Sequence, residues 1–249
     1  MQVGPESLYG VFRHSYSSSA EERQQAEGFL QGLERAPGFL AALLQIAVEP
    51  QAEQPIRQAA AIHLKNQVRF WWAPVGENTG KGYAEGDKAA LRQGLLSGVA
   101  SASEVPGVRA QLVETFRLVC LHDFPEAWPG VVDQILGGLQ SDDTLQTFCA
   151  LLLLRKLYKQ LEPRPTSRRG DLEALCVRTL PTLGTLAPAL AGVAAQPGPH
   201  CLEAYEMLKV ILKCLYSAAH MAVGEHLQQS IEAWMQLLLA ATELPAVGA

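Results

Sequence analysis

The residues with the most chemical potential are a glycine-flanked lysine, a scatter of histidines and cysteines, and dispersed carboxylates. Gly76-Glu77-Asn78-Thr79-Gly80-Lys81-Gly82 has the outline of a phosphate-binding loop. Such a loop needs four residues between its glycines, Ser or Thr after the lysine, and a preceding strand, so that its backbone N–H groups converge on phosphate. Here three residues separate Gly76 from Gly80, Gly82 follows Lys81, and the pattern before it is helical. It reads as a flexible loop between helices. His200, Cys201, Cys214, His220 and His226 carry metal-ligating atoms, but zinc sites are built from close pairs such as C-x-x-C or H-x-x-x-H, and neither spacing occurs. No G-x-S-x-G elbow is present. The carboxylates are scattered along amphipathic segments, where a solvated face accounts for them. The sequence therefore predicts no enzyme, no metal site and no cofactor.

The elements around these residues are helices from end to end. Leu8, Val11 and Phe12 begin a short helix, and Ser15 to Ser19 form a polar turn. Ser19 precedes a helix with glutamates in its first turn, which suits the helix dipole, and with Ala26, Phe29, Leu30 and Leu33 at helical spacing. Pro37-Gly38 breaks the chain before a helix at Phe39–Val48. Pro55–Trp72 is the clearest helix, with Pro at a favoured first position. At 100° per residue, Ile56, Ala60, Leu64, Val68 and Trp71 share one stripe. Gln58, Lys65 and Arg69 lie opposite, with Ile62 beside them and Asn66 on the flank. After the glycine-rich loop, helices are expected at Asp87–Ala100, Val105–His122, Pro125–Leu139 and Asp142–Leu161. A linker at 162–170 precedes Leu172–Ala195, kinked at Pro181 or Pro188, then His200–Met221 and Glu225–Thr242. No stretch alternates with the period of a strand.

Two helices resemble each other. Ile56-Arg57 with Ala60, Leu64 and Val68 matches Val108-Arg109 with Leu112, Phe116 and Cys120 at a constant offset of 52 positions. Glu22-Arg23 with Ala26 and Leu30 is a weaker echo. Degenerate helix-pair repeats of this kind imply an all-α HEAT/armadillo-like α-solenoid, in which neighbouring pairs bury each other's apolar faces. Residues 1–249 are read as one such array.

Composition agrees. Hydrophobic residues make up 48% and aromatic residues 7%, and Leu and Ala dominate, which favours helix over strand. A net charge of −5 argues against direct nucleic-acid binding. The basic stretch Arg155 to Arg169 is a local exception; it reads as a solvated helix end and loop, or as a site for an anionic partner. Five cysteines without a C-x-x-C pair suit buried, reduced thiols. The uncharged run Thr179 to Leu202 is broken by four prolines and is too weakly apolar for a membrane span. Met1 to Tyr16 lacks the apolar core of a signal peptide.

Two stretches carry a resemblance to a known family. One is Pro55-Ile56-Arg57-Gln58-Ala59-Ala60-Ala61-Ile62-His63-Leu64-Lys65-Asn66-Gln67-Val68, ending in Trp71-Trp72; the other is His122-Asp123-Phe124-Pro125-Glu126-Ala127-Trp128-Pro129-Gly130-Val131-Val132-Asp133. Together they resemble the importin-beta N-terminal domain, over about residues 20–100, followed by further HEAT-like repeats over 101–249. The combination is most similar to the importin seven and importin eight branch. Arg23, Ala26, Glu27 and Leu30 fit the first repeat. Such receptors are several times longer, so the chain reads as an N-terminal fragment or truncated product.

The resemblance implies a monomeric nuclear transport receptor of cytoplasm, nucleus and nuclear pore. It would bind the small GTPase Ran in its GTP form, cargo proteins and the Phe-Gly repeats of nucleoporins. In the family, Ran contacts the second helices of the first repeats, here about Ala20–Arg35, Pro55–Trp72 and Val105–His122. Gln58, Lys65, Asn66, Arg69 and Arg117 are the residues expected to meet it. Lys65, Arg69 and Arg117 would form a basic strip for an acidic partner surface. Leu121 departs from that pattern at the position equivalent to Arg69. Against this stand two plainer readings: the cations only solvate their helices, or Asn66 bonds between helices. Arg57 and Arg109 are expected to tie neighbouring repeats, and Trp71, Trp72, Phe124 and Trp128 to pack at repeat junctions. The competing function is a HEAT-type scaffold without a GTPase partner.

Overall fold

The computed structural model describes residues 4–162, 169–219 and 225–244, and the described residues hold helices and no strand. The chain forms two compact units, Met1–Trp128 and Pro129–Ala249. The fold class is an all-α HEAT-like solenoid.

The first unit contains α1 (Pro5–Ser15), α2 (Ala20–Leu33), α3 (Phe39–Val48), α4 (Gln54–Trp71), α5 (Glu85–Ser101) and α6 (Pro106–Asp123). They pair as α1–α2, α3–α4 and α5–α6. Ser19 caps α2, its hydroxyl accepting the Glu22 N–H at 3.4 Å. Gly38, with φ of 82°, turns the chain into α3, a left-handed conformation that glycine adopts without strain. Its N–H donates to the Asp87 carboxylate on α5 at 2.7 Å, so α3 is capped from the next pair. α3 packs against α1, α4 and α5, and seven of its ten residues are buried, as befits a strongly apolar helix.

The second unit contains α7 (Val131–Leu139), α8 (Thr144–Leu161), α9 (Arg169–Ala194), α10 (Cys201–Ala219), α11 (Glu225–Gln229) and α12 (Ile231–Thr242). α7 pairs with α8 and α9 with α10, while α11 and α12 lie against α9. Asp143 caps α8 through the N–H groups of Leu145 and Gln146.

Several expectations need correction. Residues 125–130 are a turn and not the start of α7: the Asp123 carbonyl accepts both the Ala127 and Trp128 N–H groups, at 2.8 and 2.9 Å, which closes the chain on itself. α9 starts at Arg169, earlier than the expected Leu172, and is the single expected helix through Pro181 and Pro188. The last expected helix is broken at Ser230. Trp72, not Trp71, ends the buried stripe of α4, and Phe29 stands half exposed where a core residue was expected. Four of the five cysteines are buried and Cys201 is partly buried; none is disulfide-bonded. His220, the side chain of His226 and the terminal residues 245–249 lie outside the described residues.

Candidate functional site

α4 and α6 are copies in register. Gln54 and Pro106, and likewise Trp71 and Asp123, are each 52 positions apart, and both helices are 18 residues long. The expected core matches hold: Ile56, Ala60, Leu64 and Val68 are buried in α4, as are Val108, Leu112, Phe116 and Cys120 in α6. The two helices pack directly on each other.

One arginine near the start of each second helix does the same job three times. Arg23 donates to the Ser17 and Ser18 carbonyls beyond α1, at 2.7 and 3.0 Å. Arg57 donates to the Ala47 carbonyl of α3 at 3.1 Å, and Arg109 to Ser103 just after α5. Arg57 satisfies a carbonyl that the end of α3 leaves without an internal donor, and Arg23 and Arg109 satisfy carbonyls of the turns that follow α1 and α5. Arg57 therefore binds the two helices of its own pair, and Arg109 reaches the turn that joins α5 to α6.

The outward stripe of α4 consists of Gln58, Ile62, Lys65 and Arg69, flanked by Asn66 and Phe70. Lys65 and Asn66 are half-buried and Arg69 is exposed; Ile62 and Phe70 are exposed apolar residues. The matching stripe of α6 is Ala110, Glu114, Arg117 and Leu121. Arg117 is not a free cation: its Nε donates to Glu114 at 2.8 Å within the helix. Gln58 is partly spoken for as well. A Cβ on Gly107 would sit 2.2 Å from its amide oxygen, so Gln58 lies over the first turn of α6. The expected basic strip thus becomes a mixed surface of Lys65, Arg69 and a neutralised Arg117, interleaved with Ile62, Phe70 and Leu121. Such a surface suits a protein partner with apolar contacts and an acidic rim.

Two buried polar networks hold α4 and α6 in place, and sequence reading found neither. Asp123, at the end of α6, accepts the Trp72 indole N–H at 3.0 Å and the Arg92 guanidinium at 2.7 Å. Arg92 also meets Glu85. Burial works against the Arg92 charge, but its bonds to Glu85 and Asp123 outweigh this and raise its pKa. In the second network the Tyr83 hydroxyl donates to Gln67 at 2.8 Å, and Gln67 donates to Glu34 at 2.8 Å. Tyr83 thereby fastens the glycine-rich loop to the end of α2, with burial pushing its phenol pKa well up. Arg35 lies over the Trp71 ring, 4.6 Å from its centroid. His63 sits edge-on to Phe12 and Phe39, and burial lowers its pKa against a weaker opposing effect of Glu34. The only sequence signal for either network was the spacing of Trp72 and Asp123 around the repeat junction.

Among the described residues no group of His, Cys, Asp and Glu is arranged to hold a metal ion. Within the basic stretch, Arg155 and Lys159 are committed to Glu162. Arg164, Arg168 and the Arg169 side chain lie outside the described residues.

Residues 26–101 match the family model of the importin-beta N-terminal domain. Importin-8 of Danio rerio is 36% identical over 169 residues, covering 66% of this chain and 16% of that protein. Importin-8 of Homo sapiens is 32% identical over 224 residues, covering 86% of this chain and 21% of that protein. Among solved structures, the exportin Cse1 in its cargo-free, cytoplasmic state superposes with a TM-score of 0.78 at 18% identity, over 94% of this chain and 25% of that one. The chain thus spans about a fifth of the length of the curated relatives it matches.

Proposed function

We propose that this chain, which belongs to the importin-beta family, acts in nuclear transport by binding Ran in its GTP form through the outward faces of α4 and α6. Lys65 and Arg69 are the cations that meet the partner. Ile62, Phe70 and Leu121 supply apolar contact area, Arg117 contributes through its rigid pairing with Glu114, and Gln58 and Asn66 flank the patch. Cargo proteins and nucleoporin Phe-Gly repeats are the further partners, and the chain works in both cytoplasm and nucleus.

The observation that carries the reading is the α4 stripe. It places two cations that have no ion pair among the described residues beside exposed Ile62 and Phe70, on a helix inside the segment that matches the importin-beta N-terminal domain. Exposed apolar side chains set among charges mark an interaction surface better than either feature alone. Binding of Ran and cargo would be negatively coupled, since a ligand shifts another's occupancy only through differential affinity for the two states.

Immobilised Ran, loaded with a non-hydrolysable GTP analogue or with GDP, tests this directly. Retention of the chain by the GTP form alone is expected. Equal retention by both forms, or by neither, rejects the proposal. Lys65→Glu with Arg69→Glu should weaken binding about tenfold or more, with an unchanged far-UV circular dichroism spectrum.

A further inference from the structure

In the second unit α10 packs against α8 and α9 and carries a mixed stripe on its exposed side. Tyr205, Lys209, Leu212, Lys213 and Tyr216 fall within an arc of about 100° at helical spacing. The stripe is one wall of a groove of about 300 Å³, and Ala241 of α12 with Leu244 just after it form the other wall. Leu208, which is buried, lies at the floor.

Two rows of side chains run along this wall at i, i+4 spacing. One is Tyr205–Lys209–Lys213 and the other is Leu208–Leu212–Tyr216. Adjacent rows of this kind bound the furrow that receives a side-chain ridge of another helix. Their chemistry differs. The second row is apolar and ends in the 59% exposed ring of Tyr216. The first is cationic. Glu206 accepts from the Lys209 ammonium with both carboxylate oxygens, at 2.9 and 2.8 Å, which anchors that ammonium at the groove edge with a donor to spare. Lys213 is exposed and has no ion pair among the described residues. No acidic side chain among the described residues lines the groove. Tyr205 and Tyr216 stand 11 positions apart, about 16.5 Å along the axis, so the furrow is about three helical turns long.

We propose that this groove binds an acidic amphipathic helix of a partner protein. The helix lies along α10, with its apolar face on Leu208, Leu212 and Leu244 and its carboxylates on Lys209 and Lys213. The two lysines are one turn, about 6 Å, apart, and carboxylates four residues apart on a neighbouring helix repeat at the same distance. The apolar row and Leu244 supply the buried contact of a helix seated in a groove, and the tyrosines close its two ends with rings that tolerate water at their hydroxyls. Charge complementarity selects the sign of the partner: a basic helix would set cations against Lys209 and Lys213, and a neutral one would leave both ammonium groups desolvated without compensation.

The test uses the whole chain and a fluorescein-labelled helical peptide of about twenty residues, long enough to hold its own helix, followed by fluorescence anisotropy. The peptide is built on Ala and Gln, with leucines along one face and two glutamates four residues apart beside them. It should bind, and replacing both glutamates by glutamine should weaken it about tenfold or more. Lys209→Glu with Lys213→Glu should cause the same loss at an unchanged far-UV circular dichroism spectrum. That variant should also prefer the peptide carrying lysines in place of the glutamates, an exchange of preference that damage to the fold cannot produce. A central proline in the peptide should abolish binding, because it breaks the helix. Absence of binding, equal binding of the glutamate and glutamine peptides, no exchange of preference in the charge-reversed variant, or undiminished binding of the proline peptide would each overturn the proposal. None of these outcomes bears on Ran, whose proposed site is in the first unit.

Discussion

Each unit pins an 18-residue helix with an acidic residue at its end, and the two do it by opposite means. Asp123 closes α6 by collecting donors from elsewhere in the chain: Trp72 just after α4 and Arg92 from α5. Glu162 closes α8 mainly with its own helix: Arg155 and Lys159 lie within two turns of it, and among the described residues the distant donor is Ser217 of α10. The first arrangement ties two successive helix pairs into one body. The second binds one helix end and reaches α10 at Ser217, which both Glu162 and Arg155 meet. The difference predicts that breaking the first acid spreads through its unit, whereas breaking the second stays local.

Asp123→Ala is the sharpest way to break that contrast. It leaves the buried Trp72 N–H without its acceptor and the Arg92 guanidinium with Glu85 in place of two carboxylates, which should cost about 3 kcal/mol or more. The first unit should lose most of its stability in urea titrations, with Trp71, Trp72 and Trp128 as fluorescent reporters in a Trp234→Phe background. Glu162→Gln keeps a hydrogen-bonding side chain and should cost about 1–3 kcal/mol in the second unit. Equal losses from the two substitutions would remove the distinction between long-range and local clamps.

What the sequence disclosed follows the same division. The repeat of α4 in α6, the three arginines near helix starts and the caps Ser19 and Gly38 are local or periodic features, and all were readable from spacing. The Asp123 clamp was not, because it joins residues 31 and 51 positions apart whose meeting depends on how the pairs stack. The outward stripe of α4 could be drawn on a helical wheel. Its electrostatics could not: Arg117 looked available until Glu114, three residues before it, proved to be its partner, and Gln58 looked free until Gly107 came beneath it. The exposure of Phe29 misled for a related reason. Helical periodicity places a residue on a face but does not say whether a neighbouring helix covers that face.

Acid should separate the units further, at smaller cost. In the first unit burial lowers the pKa of His63, and also that of His122, where Lys88 helps and Asp123 opposes. The folded unit then favours the neutral imidazoles, and its stability falls as pH drops below their ordinary value of 6.5, because the unfolded chain takes up protons first. In the second unit burial alone would raise the Glu162 carboxyl, but hydrogen bonds from Lys159 and Ser217 and the charge of Arg155 bring it below its ordinary 4.5. Its contribution is intact above that value and is lost as pH falls through the lowered folded-state pKa. Hydrogen exchange followed peptide by peptide should therefore show the first unit loosening between about pH 6.5 and 5 while the second holds until below about 4.5. Simultaneous loosening would mean that the two histidines and Glu162 do not set the acid response of their units.

The smallest expected effect decides what Gln58 does. Gly107→Ala places a methyl group 2.2 Å from the Gln58 amide oxygen, and since that oxygen ends a flexible side chain, the glutamine swings outward. A displaced rotamer costs about 0.5–1.5 kcal/mol, and replacing glycine by alanine in a helix returns up to about 1 kcal/mol, so net stability should change by roughly 0.5 kcal/mol or less. If Gln58 flanks the Ran surface, its displacement should shift affinity for the GTP form by about two- to threefold at constant stability. A loss of stability well beyond that range, with affinity unchanged, would instead make Gln58 a packing residue between α4 and α6. Recognition would then rest on Lys65, Arg69 and the apolar side chains between them.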